Sequence, residues 1–283
     1  MSEAAWTLAP IENDPGPSPV FSIRRVGGMV LRHYYLLRGS WARLAEMAYW
    51  PIVGVLIWGF MSTFLATNSN YVAKASGVLL GGLMLWDLLF RGNLGLSLTF
   101  LEEIWSRNLG HLAVSPLTIG EWIVAMLVMA LIRTVIGMVP AMLIAIPLYH
   151  FSLFSIGPAL ILFCANLLAF GWAFGLAVSG LVLRYGQGAE SLAWVAVVAV
   201  APFCGIYYPL SALPHWIQPV AMILPPSYVF EAMRGVMFGG PLALDKMAIA
   251  AGENVIYMAV AVAIFLRVYH TARVRGLFLG QGE

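Results

Sequence analysis

The sequence is short of charge. Only 10% of its 283 residues are Asp, Glu, Lys or Arg, against 61% hydrophobic residues. Soluble domains carry roughly 25% charged residues, so a soluble surface of this size could not be covered. Charge of one sign is lacking too: 15 Lys and Arg stand against 13 Asp and Glu, a net +2 that argues against nucleic acid as a partner. There are two cysteines, Cys164 and Cys204, both in long apolar runs, which excludes a disulfide scaffold and predicts plain buried packing. No G-x-x-x-x-G-K-[ST] occurs, so the chain cannot hold ATP through a P-loop, and no H-E-x-x-H or other metal motif is present. The first 20 residues contain Glu3, Glu12, Asp14 and four prolines but no apolar stretch of the signal-peptide kind, and read as a mobile tail.

What is abundant is hydrophobic length; mean hydropathy is +0.87. A helix needs about 20 apolar residues to cross the hydrocarbon core. Residues 47–65 contain no formal charge, and residues 75–95 are interrupted only by Asp87 and Arg91. The 50 residues from Thr134 to Leu183 are uncharged and exceed one crossing. Pro147 and Pro158 flank a break near 149–155, which separates spans over about 121–149 and 153–183. Further spans are expected over about 191–208 and 247–266. The fold class is therefore an all-α membrane protein with six spans. Residues 1–20 form the tail, 21–44 an interfacial helix, 45–267 the six-span domain and 268–283 a C-terminal tail. Lys and Arg collect before span 1, between spans 2 and 3 and between 4 and 5, and after span 6, ten residues against Lys74, Arg234 and Lys246 on the other side. The positive-inside rule then places both termini in the cytoplasm.

Three segments outside the spans carry information. Over 21–44, Val26, Val30, Tyr34, Leu37, Trp41 and Leu44 form one helical stripe opposite Arg25, Arg32 and Arg43, the pattern of a helix lying on a membrane, with Gly39-Ser40 as a candidate break. Between spans 2 and 3, Thr99-x-x-Glu102 has capping-box form and Gly110 suits a helix stop, predicting a short helix Phe100–Leu109. A second box, Thr118-x-x-Glu121, opens span 3. From Tyr207 to Pro241, six prolines and interleaved aromatics predict two short helices, near 214–224 and 227–238, capping the outer end of a cavity. Trp216, Tyr228, Glu231 and Arg234 are the expected external gate, Glu231 and Arg234 sharing a helix face.

Charges within spans face a bundle interior or a cavity. Asp87 and Arg91 form an acid-first i, i+4 pair, and Arg133 lies about 18 Å into span 3 at ~1.5 Å per residue. These three are read as an intramembrane charge network, with Asp87 a candidate partner of Arg133. Glu102-Glu103-x-x-x-Arg107 also fits an EExxxR pattern found in intramembrane proteases. None of His33, His111, His150, His215 or His270 carries the Phe or the Asn/Asp that the other motifs of that class require four residues away.

The architecture, the loop residues Glu103, Leu109, Leu112, Ser115, Pro116 and Leu117, and the external set Leu213-Pro214, Pro225, Tyr228 and Arg234 together resemble the ABC-2 family of ATP-driven export permeases. Arg107, Asn108, Gly110 and Pro226 depart from its pattern. The resemblance implies a permease subunit, not itself an enzyme, in a multi-pass bacterial inner-membrane complex. It implies a second permease, either another copy of this chain (a homodimer) or a related chain, two separate ATPase subunits holding ATP and Mg, contact with membrane lipid, and export of a hydrophobic or amphipathic substrate such as a drug, lipid or lipid-linked glycan. Glu102, Glu103, Trp105, Arg107 and Asn108 would form the coupling helix that docks on the ATPase. A secondary transporter or channel without an ATPase is the alternative reading, and it calls for internal symmetry that the sequence does not show.

Overall fold

The computed structural model describes residues 21–66 and 70–275, so the expected tail 1–20 and residues 276–283 lie outside the described residues. All regular structure in the described residues is helical. Helix α1 (Ile23–Arg38) lies against the bundle, and Gly39 and Ser40 separate it from α2 (Trp41–Ala66), as Gly39-Ser40 suggested. Then come α3 (Asn70–Trp105), the short α4 (Leu109–Val114), α5 (Ile119–Tyr149) and α6 (Ala159–Tyr185). A half-length α7 (Leu192–Val200), a four-residue α8 (Gln218–Ala221), α9 (Pro225–Met237) and α10 (Leu244–Val274) complete the chain. Among the described residues, four helices are long and apolar enough to cross a membrane: α2, α5, α6 and α10. α3 is longer than any of them, at 36 residues, but Asp87, Arg91, Glu102 and Glu103 dilute its apolar character.

α3 occupies the centre, packed on α2, α5 and α6, while α6 packs on α10. Small residues allow the closest approaches. A Cβ on Gly171 would come within 2.5 Å of the Leu89 carbonyl oxygen, and one on Gly175 within 2.7 Å of that of Asn93, so α6 and α3 pack backbone to backbone. At one end of the bundle Phe100, Trp122, Phe265 and Tyr269 form a ring cluster, with centroids 5.6–6.3 Å apart, that joins α3, α5 and α10. This cluster keeps α10 helical to Val274, so 268–274 is ordered helix rather than tail: Tyr269 and Ala272 are buried in it.

Four expectations are corrected. The separate helix Phe100–Leu109 does not form, because α3 runs unbroken to Trp105. No Gly or Pro interrupts 96–105, and Thr99 Oγ1 donates to the Gly95 carbonyl at 2.7 Å within the helix instead of capping a new one. The helix stops where Arg107 turns left-handed (φ 53°), and Gly110, expected as the stop, lies inside α4. The expected span 191–208 is helical only over Leu192–Phe203, 12 residues and about 18 Å at ~1.5 Å per residue, so the helix alone covers only part of a crossing. It ends at the turn of Gly205 (φ 62°). The first external helix shrinks to α8, since Pro214 and Pro219 leave few amides to pair. Finally, the stripe expected over 21–44 packs on protein only in part: Val26 and Leu37 are buried, beside Met29 and His33, while Tyr34 and Trp41 are exposed. The second capping box forms as read, with Thr118 Oγ1 accepting from the Glu121 amide and Glu121 accepting from the Thr118 amide.

Gly171→Val should lower the thermal midpoint of the solubilised protein, since overpacking a tight contact costs about 1–3 kcal/mol. Gly252→Ala, on α10 with nothing within 4 Å of its Cβ, should leave it unchanged or slightly raised. Equal midpoints for the two variants in a thermal melt would rule out the α3–α6 contact as a determinant of stability.

Candidate functional site

The densest polar cluster lies where α3 ends. Glu102 and Glu103 are consecutive, so they project about 100° apart and collect cations from different elements. Glu102 Oε2 accepts from Arg133 Nη2 of α5 at 2.5 Å, and its Oε1 from Arg43 Nη1 of α2 at 3.3 Å. Glu103, fully buried, accepts from Arg32 of α1 and from Asn108 Nδ2 at 2.6 Å. His33 of α1, also fully buried, sits between them. Its Nδ1 is 3.7 Å from Glu102 and its Nε2 3.2 Å from Glu103, although neither nitrogen makes an aligned hydrogen bond. Nearby, Glu121 accepts from Arg25 Nη2 at 2.7 Å and from the Ser22 amide at 2.6 Å, fastening the start of α1 to the start of α5. The hydrogen bond to Glu121 pushes the Arg25 guanidinium above its ordinary pKa.

The consequence for α1 is mechanical. Two of its arginines, Arg25 and Arg32, expected to face lipid headgroups, pair instead with buried carboxylates of the bundle. Asn108 holds α4 to the same cluster through Glu103, so α4 is tied to α1, α3 and α5 together. α4 and its flanks present exposed Trp105, His111, Val114 (85% exposed) and Pro116. Of the residues expected to face a partner, Glu102 and Glu103 point inward, Asn108 is a clasp, and Trp105 and Arg107 remain on the surface.

Arg133 is thus paired with Glu102 rather than with Asp87. Asp87 keeps its helical neighbour Arg91, Nε to Oδ2 at 2.9 Å. The external set also resolves into parts. Glu231 Oε1 accepts from the Leu210 amide at 2.9 Å and from Arg234 at 3.1 Å, and Arg234 donates to the Gly205 carbonyl at 2.5 Å. The pair clasps the irregular turn 205–210 that follows α7. Tyr228 donates to the Met222 carbonyl at 2.9 Å and so braces α9 on α8, while Trp216 stands clear at 77% exposed. Three polar ties escaped sequence reading: Asn93 to the Ala193 carbonyl at 2.8 Å, Asn254 to Asn166 at 3.0 Å, and His33 with the two glutamates. The first two leave no spacing signal. The last had one: three acids, Glu102, Glu103 and Glu121, lie within 20 residues at the end where the N-terminal arginines gather.

Removing one partner of a buried ion pair strands the other, at a cost of about 3–5 kcal/mol. Arg133→Leu should therefore lower the thermal midpoint, and adding Glu102→Gln should recover part of the loss. No recovery in the double variant would show that Glu102 is not the partner that matters.

No curated protein matches the chain. The family described as ABC-2 type transporter matches residues 34–238, or 205 of the 283 residues, a stretch that runs from within α1 to the end of α9. The chain therefore belongs to the ABC-2 type transporter family and is a membrane permease component of an ABC transporter.

Proposed function

We propose that the chain is the permease half of an exporter whose ATPase is a separate subunit, and that the ATPase docks on α4 and its exposed flanks, Trp105 included, rather than on a separate helix over Phe100–Leu109. The observation that carries this reading is the exposed α4, held between two long helices whose ends are locked by ions. A push on α4 is transmitted to α3 through Glu103, to α5 through its capping box and to α1 through Arg32. A partner able to push there must be a soluble domain beneath the membrane, which suits a nucleotide-binding subunit with ATP and Mg. Two permease copies with two such subunits form the complex, and closure of the ATPase pair drives the spans.

The α1 end carries Arg24, Arg25, Arg32, Arg38, Arg43, Arg184, Arg267 and Arg273, so it faces the cytoplasm by the positive-inside rule. Residues 205–243 then lie toward the outside. α7 covers half the membrane, and its clasped turn completes the fifth crossing as irregular backbone enclosed by protein, with the Ile206 carbonyl oxygen against Gly82 of α3. Counted this way the chain crosses six times, both ends inside, in a bacterial inner membrane. Cargo leaves beneath α8 and α9, and the apolar, aromatic walls there suit a hydrophobic or amphipathic molecule.

Two outcomes are expected. Trp105→Ala and Val114→Asp should each reduce recovery of the ATPase in pull-downs, or ATP hydrolysis linked to transport in reconstituted vesicles. A buried aromatic anchor contributes about 2 kcal/mol or more, roughly 30-fold in affinity. Wild-type recruitment and transport by both variants would remove α4 as the docking element, and an ATPase that never co-purifies with the wild type would remove the permease reading. Trp216→Cys should react with a membrane-impermeant maleimide added outside cells, over a low background because Cys204 is buried and Cys164 half-buried. Labelling only after the inner face is opened would reverse the orientation.

A further inference from the structure

Midway along α3 the chain holds a polar group that neither ATPase docking nor the end cluster uses. Asp87 lies 17 residues after the start of α3 and 18 before its end, about 26 Å from each at ~1.5 Å per residue. It forms part of the wall of a cavity of about 70 Å³ between α2, α3 and α5, whose other walls include Trp50 and Gly54 of α2, Trp86 of α3 and Met138 of α5. One water needs about 10–15 Å³ on this scale, so the space takes a small polyatomic group and not a whole drug-sized molecule. Trp50 is 62% exposed, which puts the α2 wall at the bundle surface. The lining is apolar apart from the carboxylate.

The carboxylate is only half used. Arg91 engages Oδ2 through Nε alone, Oδ1 has no hydrogen bond among the described residues, and the side chain is 25% exposed. Arg91 cannot readily swing into the cavity: it is lodged at Gly137 of α5, where even a Cβ would come within 3.0 Å of Nη1. It therefore stands as a fixed counter-charge beside Asp87, with one carboxyl oxygen left over. A carboxylate in the same wall as two indoles attracts a cation, and aromatic faces favour weakly hydrated organic cations. A metal ion would have to shed its water into apolar walls, which is unfavourable.

We propose that this cavity binds the ammonium head of an alkylammonium amphiphile, with Asp87 as counter-charge and Trp50 and Trp86 as walls, and that such cationic amphiphiles are the permease's cargo class. The cargo assignment rests on the permease reading above; the binding site does not. Gly54 supplies a clean test of space, because nothing lies within 4 Å of a Cβ built there. Gly54 lines the cavity, so a larger side chain there is expected to take up part of its space, and leaving glycine behind favours the helix.

The experiment uses the full chain in lipid nanodiscs, with empty nanodiscs as the blank. The probe is benzyltrimethylammonium, compared with its uncharged carbon isostere 2,2-dimethylpropylbenzene. Saturation-transfer NMR should show saturable binding of the ammonium and none of the isostere. Asp87→Asn and Gly54→Leu, each checked for an unchanged elution profile, should weaken binding about tenfold or more, and Trp50→Ala about threefold to tenfold. Absence of saturable binding, equal binding of the isostere, or wild-type binding by both Asp87→Asn and Gly54→Leu would overturn the site. In the reconstituted complex with its ATPase, the ammonium should raise the hydrolysis rate in the wild type and not in Asp87→Asn. A flat rate despite saturable binding would overturn the cargo assignment while leaving the site. Saturable binding by a chain that recruits no ATPase would remove the permease reading alone.

Discussion

Two adjacent glutamates at the end of the central helix hold the architecture of one whole end of the molecule. Buried carboxylates are tolerable only when cations neutralise them and donors satisfy their oxygens. Glu102 and Glu103 meet that demand with Arg32 from α1, Arg43 from α2, Arg133 from α5 and Asn108 from the turn before α4, and His33 of α1 lies between them. Four elements are thereby tied to the last turn of α3. The attraction also explains why a helix with the composition of a surface anchor lies against protein: its arginines find stronger partners inside than lipid headgroups provide. Glu121 repeats the arrangement one step further along, holding Arg25 while it caps α5.

The opposite end obeys a different constraint. There α7 stops about halfway, and the backbone that follows lacks regular partners. Such backbone survives in an apolar setting only where protein supplies the hydrogen bonds. Arg234 donates to the carbonyls of Gly205 and Ile206, Glu231 accepts from the Leu210 amide, and Ser227 donates to the Phe203 carbonyl at 3.3 Å. Residues that read as gate components thus serve first as surrogates for a missing helix. One end is bound by ion pairs between helices, the other by side chains bonded to bare backbone. Between them lie tight glycine contacts from α6 to α3 and a loosely covered α2, whose side chains Trp50, Ile57 and Phe60 are exposed. A force on α4 therefore enters a stiff end, and the cavity beside Asp87 lies against the least enclosed long helix.

The sequence by itself determined a great deal. Scarcity of charge and uncharged runs of 19 to 50 residues required long helices in an apolar medium, because a helix alone satisfies its own backbone there. Local chemistry was legible wherever both partners lay within one turn: the Thr118–Glu121 box, the Asp87–Arg91 pair, the Glu231–Arg234 pair and the break before α2. Tertiary structure decided what distance in sequence conceals. Thr99-x-x-Glu102 had the form of a cap, yet packing and an uninterrupted helix overrode it, since a cap needs a residue that has left the helix. Arg133 found Glu102, not Asp87, because the ends of α3 and α5 lie side by side near α1, and 31 residues of separation carry no sign of that. The length of α7 was hidden as well: its apolar run continues past Phe203, but the carbonyls beyond bond to Arg234 instead of to the next turn, and only the folded chain brings that arginine within reach.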